Sequence, residues 1–224
     1  MASDFDRDYW QAHWQQVRAG ADPLDPNPYV QSETTDLPVG TALDAGCGQG
    51  GEALWLGERG WQVTAVDISE EAIAQARARA TGPVGDRVRW LAADLTTWEP
   101  DETFDLVTTS YAHPATGQLA FYQRLAGWVA PGGTLLVVGH RHGERDAGAG
   151  HDHGHDHGHD HGHGHGHGNG RRPPEAEVSA ASITALLDPG EWRVVTAAEP
   201  ERSLGGQEAR RGWLYDVVVR AVRT

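Results

Sequence analysis

The stretch ALDAGCGQGGEALWL, residues 42–56, decides the fold class of this chain. A short apolar run ends at Asp44, the glycines Gly46, Gly48, Gly50 and Gly51 follow, and helix-like sequence then begins. Glycines at such a strand-to-helix turn permit positive φ angles and let the backbone approach a ligand at the helix N-terminus. The spacing Gly46-x-Gly48-x-x-Gly51 also satisfies the dinucleotide fingerprint, so the pattern alone does not choose between NAD and another nucleoside cofactor.

The sequence on either side of this turn alternates between short apolar strands and helices, which is typical of a parallel sheet covered on both faces. We predict an aromatic N-terminal helix ending near Gly20, a proline-rich turn at residues 22–29, and a helix capped by Ser69. A single domain over residues 1–224 is expected, with residues 1–36 as N-terminal helix and cap. The other predicted helices are 52–59, 116–130 and 179–187, and the predicted strands are 41–44, 61–66, 88–92, 104–109, 134–138, 192–198 and 213–223.

Three carboxylates narrow the choice of cofactor. Asp44 lies two residues before the first glycine, where it could face an ammonium group, and Asp67 ends the second strand, where it could accept from ribose hydroxyls. Asp94 ends the third strand, where it could accept from an adenine amino group or simply cap a turn. A cofactor with a pyrophosphate would favour cationic side chains near the glycines, but the acids Asp44 and Glu52 flank them. Acidic surroundings suit a ligand with a sulfonium and an ammonium group, which favours S-adenosylmethionine.

Composition excludes several classes of function. The net charge is −14 over 224 residues, which opposes binding to nucleic acid or to an anionic membrane surface. All 18 cationic side chains are arginine, so a Schiff-base nucleophile and a Walker-A loop are excluded. Cys47 is the single cysteine, which excludes a disulfide framework. Without a long apolar run or a leader-like N-terminus, the chain is expected to be cytoplasmic.

Outside residues 140–174, the chain resembles the class I S-adenosylmethionine-dependent methyltransferases. The motifs LDAGCGQG, VTAVDIS, AADL, FDLVTTSYAH and VAPGGTLLVVG occur in the order of that family. The chain is similar in particular to the small tellurite-resistance and thiopurine-type methyltransferases, through its aromatic N-terminal helix and the phrase ALWLGERGWQVTAVD. The resemblance implies an α/β, Rossmann-like three-layer sandwich, with a mainly parallel seven-stranded sheet whose last strand is antiparallel.

The resemblance also implies the residues that hold S-adenosylmethionine. The glycines would pass beneath its methionine part, Asp67 would bind the ribose hydroxyls, and Tyr9 would help to close the N-terminal helix over it. Trp10 and Trp14 could equally attach that helix to the sheet. The predicted cofactor-binding residues are Trp10, Trp14, Asp44, Gly46, Cys47, Gly48, Gly50, Asp67, Ile68, Asp94, Leu95 and Ser110.

Tyr111 and His113 are the predicted catalytic residues. Both follow the fourth strand, at the edge where parallel-sheet enzymes place their substrates. His113 could take a proton from the acceptor, or could only fix the turn before Pro114. Because methyl transfer is an in-line displacement, alignment and proximity can supply most of the catalysis without a base.

Residues 140–174 are predicted to be a disordered insert, because residues 151–168 read HDHGHDHGHDHGHGHGHG. Imidazoles with interspersed carboxylates suit Zn²⁺, Ni²⁺, Co²⁺ or Cu²⁺. The sequence therefore favours methyl transfer to a small-molecule acceptor, beside a metal-binding loop. The alternative is a metal-storage or sensor protein on a degenerate methyltransferase scaffold; an NAD-dependent oxidoreductase is weaker, because no Tyr-x-x-x-Lys pair exists. The predicted metal ligands are His151, His153, His155, His157, His159, His161, His163, His165 and His167.

Overall fold

A computed structural model of the chain describes residues 5–17, 25–141, 178–203 and 213–224. The helices there are α1 (Arg7–Gln16), α2 (Pro28–Thr34), α3 (Gly51–Glu58), α4 (Glu70–Arg79), α5 (Gln118–Ala126) and α6 (Ala180–Thr184), with a 3-10 helix at Gly82–Arg87. The strands are β1 (Thr41–Ala45), β2 (Gln62–Asp67), β3 (Val88–Ala92), β4 (Phe104–Ser110), β5 (Val129–His140), β6 (Trp192–Ala198), β7 (Glu201–Ser203) and β8 (Trp213–Arg223).

Seven strands form the main sheet in the order β3-β2-β1-β4-β5-β8-β6. The first five in that order pair in parallel, and β8 runs antiparallel to both β5 and β6. This arrangement confirms the predicted Rossmann-like sheet with an antiparallel last strand. The short β7 adds to β8 outside that path.

Both faces of the sheet are buried against helices. Successive side chains of a strand point to opposite faces, so neighbouring residues belong to different apolar clusters. Leu43 and Val107 belong to the apolar cluster that also contains side chains of α5 and α6. Ala42 and Leu106, one position away on the same strands, belong to the cluster formed with α3 and α4. The parallel strands therefore end at one edge of a three-layer structure, between the two helical layers.

Two local predictions were wrong. The helix expected at 116–130 ends at Ala126, and β5 begins at Val129 and runs through Pro131 and two glycines, with a register shift against β4. The proline-rich turn expected at 22–29 gives way to α2 at Pro28, because the Asn27 side chain accepts from the backbone N–H of Tyr29 at 2.9 Å.

β5 also extends to His140, the first residue assigned to the predicted insert, because it pairs with β8 to that point. Residues 142–177 lie outside the described residues, so the disorder expected for the insert stays a prediction. None of the helices in the described ranges is long and apolar enough to cross a membrane. The predicted capping of α4 by Ser69 is confirmed, since the Ser69 hydroxyl accepts from the backbone N–H of Ala72 at 3.2 Å.

Candidate functional site

The glycine turn between β1 and α3 is compact and leaves no room for side chains. Gly46, Gly48 and Gly50 have φ angles of 81°, 51° and 83°, a region that favours glycine. The backbone N–H groups of Gly46 and Cys47 both donate to the carbonyl of Val66, at 2.8 and 3.0 Å, which attaches the turn to the end of β2. A Cβ at Gly46 would lie 2.6 Å from the Cβ of Ala112. The glycines therefore let the turn pack closely against neighbouring side chains at the carboxyl edge of the sheet.

Asp67, at the end of β2, holds this turn in place. Its Oδ2 accepts from the N–H of Gly48 and its Oδ1 from the N–H of Ser69, each at 2.9 Å. Burial raises the pKa of Asp67, while these backbone donors oppose the rise. A carboxylate has about four acceptor sites, so Asp67 can also accept from a hydroxyl group of a ligand.

Asp44 is buried beside the same turn, with 2% of its surface exposed. The backbone N–H of Ala53 donates to its carboxyl group, but Oδ2 has no hydrogen-bond partner among the described residues. Thr108, its register neighbour on β4, has a buried hydroxyl with the same lack of a described partner. Because an uncompensated buried charge is costly, this carboxylate would be stabilised by a cationic or hydrogen-bond-donating ligand group.

The pKa of Asp44 is raised well above its ordinary value, first by burial and then by the negative charges of Glu52 and Asp67. The folded protein therefore holds this proton more tightly than the unfolded chain does. Such a group contributes stability that is fully present below its unfolded pKa and is lost as the pH rises through its folded pKa. At pH 8 the carboxyl group destabilises the free protein.

Asp44→Asn is accordingly expected to stabilise the free protein at pH 8, because the neutral amide has no charge that burial and the neighbouring acids penalise. Chemical denaturation at pH 8 and pH 4 measures the gain, which should vanish at the lower pH. Asp105→Asn is the matched control, because Asp105 is exposed and accepts from the backbone N–H of Thr41 at 2.8 Å. A gain of equal size at both pH values would contradict the explanation.

The turns after β2 and β3 form the next part of the site. The Oδ1 atom of Asp94 accepts from the backbone N–H and the hydroxyl of Thr96, at 2.9 and 2.6 Å, so Asp94 caps its own turn. Ala93 donates its N–H to the backbone carbonyl of Asp67 at 2.9 Å, which links the two turns. Ile68 is half-buried, and Leu95 is buried nearby in the same layer of turns. A contact of Asp94 with adenine stays a prediction.

Helix α1 lies across the β2–α4 turn and reaches the glycines. Gln11 Oε1 accepts from the hydroxyl of Ser69 at 3.0 Å, and the backbone carbonyl of Trp14 accepts from Gln75 Nε2 at 3.0 Å. A Cβ at Gly48 would lie 3.0 Å from Cζ2 of Trp14. The structure thus places Trp14 against the turn, while its role in covering a cofactor stays a prediction.

Aromatic rings continue from α1 across the ends of β4 and β5. The His113 ring lies 6.4 Å from the ring of Trp10 and 6.4 Å from the ring of His140. Tyr111 stacks on His140 with 4.2 Å between ring centroids, and its hydroxyl donates to Asp216 Oδ1 at 3.0 Å. The predicted catalytic residues Tyr111 and His113 therefore meet two side chains that the sequence interpretation did not include.

Of His140 and Asp216, only Asp216 has a signal in the sequence. Asp216 is a charged residue within the apolar run of β8, and charged side chains are almost never fully buried unless they are paired. The sequence places His140 in the insert and gives no signal that it lies on a strand. Ser110, another predicted residue, has a buried hydroxyl without a described hydrogen-bond partner at the same edge.

Cys47 and the metal ligands complete the predicted set. Burial, followed by the charge of Asp44, raises the pKa of the Cys47 thiol well above its usual value, which opposes a nucleophilic role. Within the described ranges, no group of three or more His, Cys, Asp or Glu side chains could hold a metal ion. The predicted histidine ligands at 151–167 lie outside those ranges.

The strand order, the glycine turn after β1 and the acid at the end of β2 define a Rossmann-like domain of the methyltransferase type. Residues 42–133 match the family described as a methyltransferase domain. Over this segment the chain is similar to the S-adenosylmethionine-dependent methyltransferases.

Relatives and solved structures agree with this assignment. An uncharacterized methyltransferase of Mycobacterium tuberculosis is 43% identical over 107 residues, covering 46% of this chain and 52% of the relative. A probable thiol methyltransferase of Arabidopsis thaliana is 32% identical over 148 residues, covering 62% of this chain and 64% of the relative. The chain therefore matches only about half to two thirds of the length of these relatives.

The magnesium protoporphyrin IX methyltransferase of Synechocystis PCC 6803 with bound S-adenosylhomocysteine has the same fold. Its TM-score to this chain is 0.64 at 18% identity, and the match covers 97% of both chains. At that identity the likeness shows the fold alone.

Proposed function

We propose that this chain transfers the methyl group of S-adenosylmethionine to a small-molecule acceptor, and that the acceptor is a thiol. The observation that carries the proposal is the buried Asp44 carboxylate, with Oδ2 lacking a described partner, beside a glycine turn that Asp67 holds. A pyrophosphate would be repelled by these acids, whereas an ammonium or sulfonium group would be stabilised. The likeness to a probable thiol methyltransferase supports the choice of acceptor.

The residues present fit the cofactor and suggest what each would do. Asp44 would face its ammonium group, Asp67 would accept from its ribose hydroxyls, and the glycine backbone would allow close approach. When bound, S-adenosylmethionine supplies an electrophilic methyl carbon on a positively charged sulfur. The stacked rings of Trp10 and His113 would exclude water from the reacting groups and help to hold the acceptor in line for displacement.

Isothermal titration with S-adenosylmethionine and, separately, with NAD⁺ and NADH tests the cofactor assignment. We expect a Kd in the micromolar range for S-adenosylmethionine and no binding of either nicotinamide cofactor. Release of S-adenosylhomocysteine with 4-nitrothiophenol and with 2-mercaptoethanol then tests the acceptor class. Binding of NAD⁺ in place of S-adenosylmethionine would contradict the proposal, and transfer only to amines or hydroxyls would contradict the thiol assignment.

We also propose that the histidine tract at residues 151–168 binds divalent metal ions. Nine imidazoles alternate there with carboxylates and glycines, and imidazole is a ligand that suits Ni²⁺, Zn²⁺, Co²⁺ and Cu²⁺. Protonated histidine does not coordinate, so metal affinity should fall as the pH decreases through about 6. If metal storage or sensing were the main function, the chain would bind metal and methylate no acceptor.

Deletion of residues 151–168 is expected to remove most of the Ni²⁺ bound per chain and to leave the affinity for S-adenosylmethionine unchanged, because the predicted cofactor residues all precede the tract. Titration calorimetry with Ni²⁺ alone and with S-adenosylmethionine alone measures both effects. The intact chain at pH 5 is the control for histidine coordination. Undiminished Ni²⁺ binding by the deletion variant would assign the metal to other residues.

A further inference from the structure

The turn after β3, residues 94–98, carries two of the predicted cofactor-binding residues, Asp94 and Leu95. Hydrogen bonds within the turn close it, because the backbone N–H groups of Thr97 and Trp98 donate to the carbonyl of Asp94 at 3.0 and 2.7 Å. The carbonyl groups of Leu95 and Trp98 accept instead from a side chain outside the turn. The position of the turn therefore depends on that side chain.

The side chain is that of Arg124, in the last turn of α5. Its Nε donates to the carbonyl of Leu95 at 2.9 Å, and its Nη2 donates to the carbonyl of Trp98 at 2.8 Å. These two nitrogens lie on one edge of the planar guanidinium group, so a single rigid group holds both carbonyls at a fixed separation. Leu95 is also buried in the same apolar cluster as Leu125 of α5. Arg124 thus attaches the turn to a helix of the folded core.

Two further side chains, Glu99 and Trp128, orient the guanidinium group of Arg124. Its Nη2 lies 2.9 Å from Oε1 of Glu99, and Oε2 of Glu99 accepts from Nε1 of Trp128 at 3.0 Å. The guanidinium carbon lies 5.2 Å from the centre of the Trp128 ring. Because the Glu99 side chain is 64% exposed, the ion pair by itself contributes little to stability. Its effect is to direct Arg124 towards the two carbonyl groups.

We infer that Arg124 is a positioning residue for recognition of the adenine base, an inference that rests on the proposed function. Oδ1 of Asp94 already accepts two hydrogen bonds from Thr96, so we assign the adenine amino group to Oδ2. Because hydrogen bonds weaken steeply when their angles are poor, this recognition depends on where the turn holds the carboxylate. Arg124 acts on that position through the carbonyl groups of Leu95 and Trp98.

Arg124→Met tests the inference, because methionine keeps much of the length of arginine but has no N–H donor. Isothermal titration measures the Kd of S-adenosylhomocysteine and of S-inosylhomocysteine, in which a carbonyl oxygen replaces the amino group of the base. The unaltered protein is expected to bind the adenine compound roughly 10- to 100-fold more tightly, the range for a hydrogen bond to a charged group. In Arg124→Met this preference should fall roughly tenfold, because the affinity for the inosine compound changes little.

Arg59→Met is the matched control. Arg59 also lies over a tryptophan ring, 3.7 Å from the centre of the Trp55 ring, and donates to the carbonyl of Trp55 at 3.4 Å. It caps the carboxyl end of α3, the end remote from the glycine turn. The control therefore removes the same chemical group from a similar setting outside the turn after β3. Its ratio of the two Kd values should equal that of the unaltered protein.

Asp94→Ala shows whether Arg124 acts through the Asp94 carboxylate. This variant should lose the preference for adenine, and the double variant Asp94→Ala/Arg124→Met should show no further loss of it. Such non-additivity is expected when two residues act on one interaction. Additive losses of preference would mean that Arg124 acts on the cofactor by another route, and they would overturn the inference.

The outcomes separate this inference from the proposed function. A general loss of stability lowers the affinity for both compounds alike, so an Arg124→Met protein with a lower melting temperature but an unchanged ratio would overturn the inference. If the unaltered protein binds S-adenosylhomocysteine without preference over S-inosylhomocysteine, the inference fails and the methyltransferase proposal stands. If the unaltered protein binds neither compound, the proposed function is itself wrong.

Discussion

Asp67→Asn is expected to weaken the binding of S-adenosylmethionine by roughly 10- to 100-fold, because the asparagine NH₂ cannot accept and one of the two hydrogen bonds from the ribose hydroxyls to a charged oxygen is lost. Such bonds contribute about 1.5–3 kcal/mol each, and about 1.4 kcal/mol corresponds to tenfold in affinity. The asparagine would also turn an amide NH₂ towards the N–H of Gly48 or Ser69, where Asp67 now accepts both bonds. Isothermal titration measures the change in Kd.

The control for this variant is Asp105→Asn, which makes the same chemical change on β4, at the far edge of the sheet. Its Kd should equal that of the unaltered protein. Thermal melting of both variants separates a loss of affinity from a loss of folding. An Asp67→Asn protein that is folded and binds the cofactor with unchanged affinity would remove the ribose contact from the proposal.

Gly50→Ala is expected to lower the free energy of unfolding by about 3 kcal/mol. This loss has two contributions, one from the backbone conformation and one from overpacking. A left-handed backbone costs a residue with a Cβ about 1–2 kcal/mol, and overpacking a core typically costs about 1–3 kcal/mol. At Gly50 the φ is 83°, and the new Cβ would lie 2.4 Å from Cη2 of the buried Trp90. For a chain of this size, the melting temperature should fall by roughly 6–12 °C.

Gly132→Ala isolates the contribution of the backbone. Gly132 has a φ of 79°, close to that of Gly50, but a Cβ there would meet nothing within 4 Å. Its expected loss is about 1–2 kcal/mol, the conformational cost alone. Equal losses for the two variants would show that Trp90 adjusts to the added methyl group, and that the turn is less tightly packed than its contacts indicate.

The parts of the fold that depend on neighbouring residues were predictable. The strand before the glycines, the turn, α3 and the Ser69 cap all follow from short-range pattern and capping, and the structure confirms them. Asp67 was identified because it ends the strand after the glycine turn. The predictions failed where pairing with a distant strand competes with the local preference for a turn. Residues 129–133 belong to β5, which pairs with β4 through a register shift, despite Pro131 and the glycines.

The sequence by itself determined the methyltransferase class and the glycine turn with its acids. These features are short motifs, in which the residues that matter lie at fixed separations along the chain. Only the tertiary structure brought Asp216 to Tyr111, which is 105 positions away, and to His140. That meeting depends on the antiparallel register of β8 against β5, and the register arises from burial of both strands in the folded sheet. Local sequence carries no information on such a pairing.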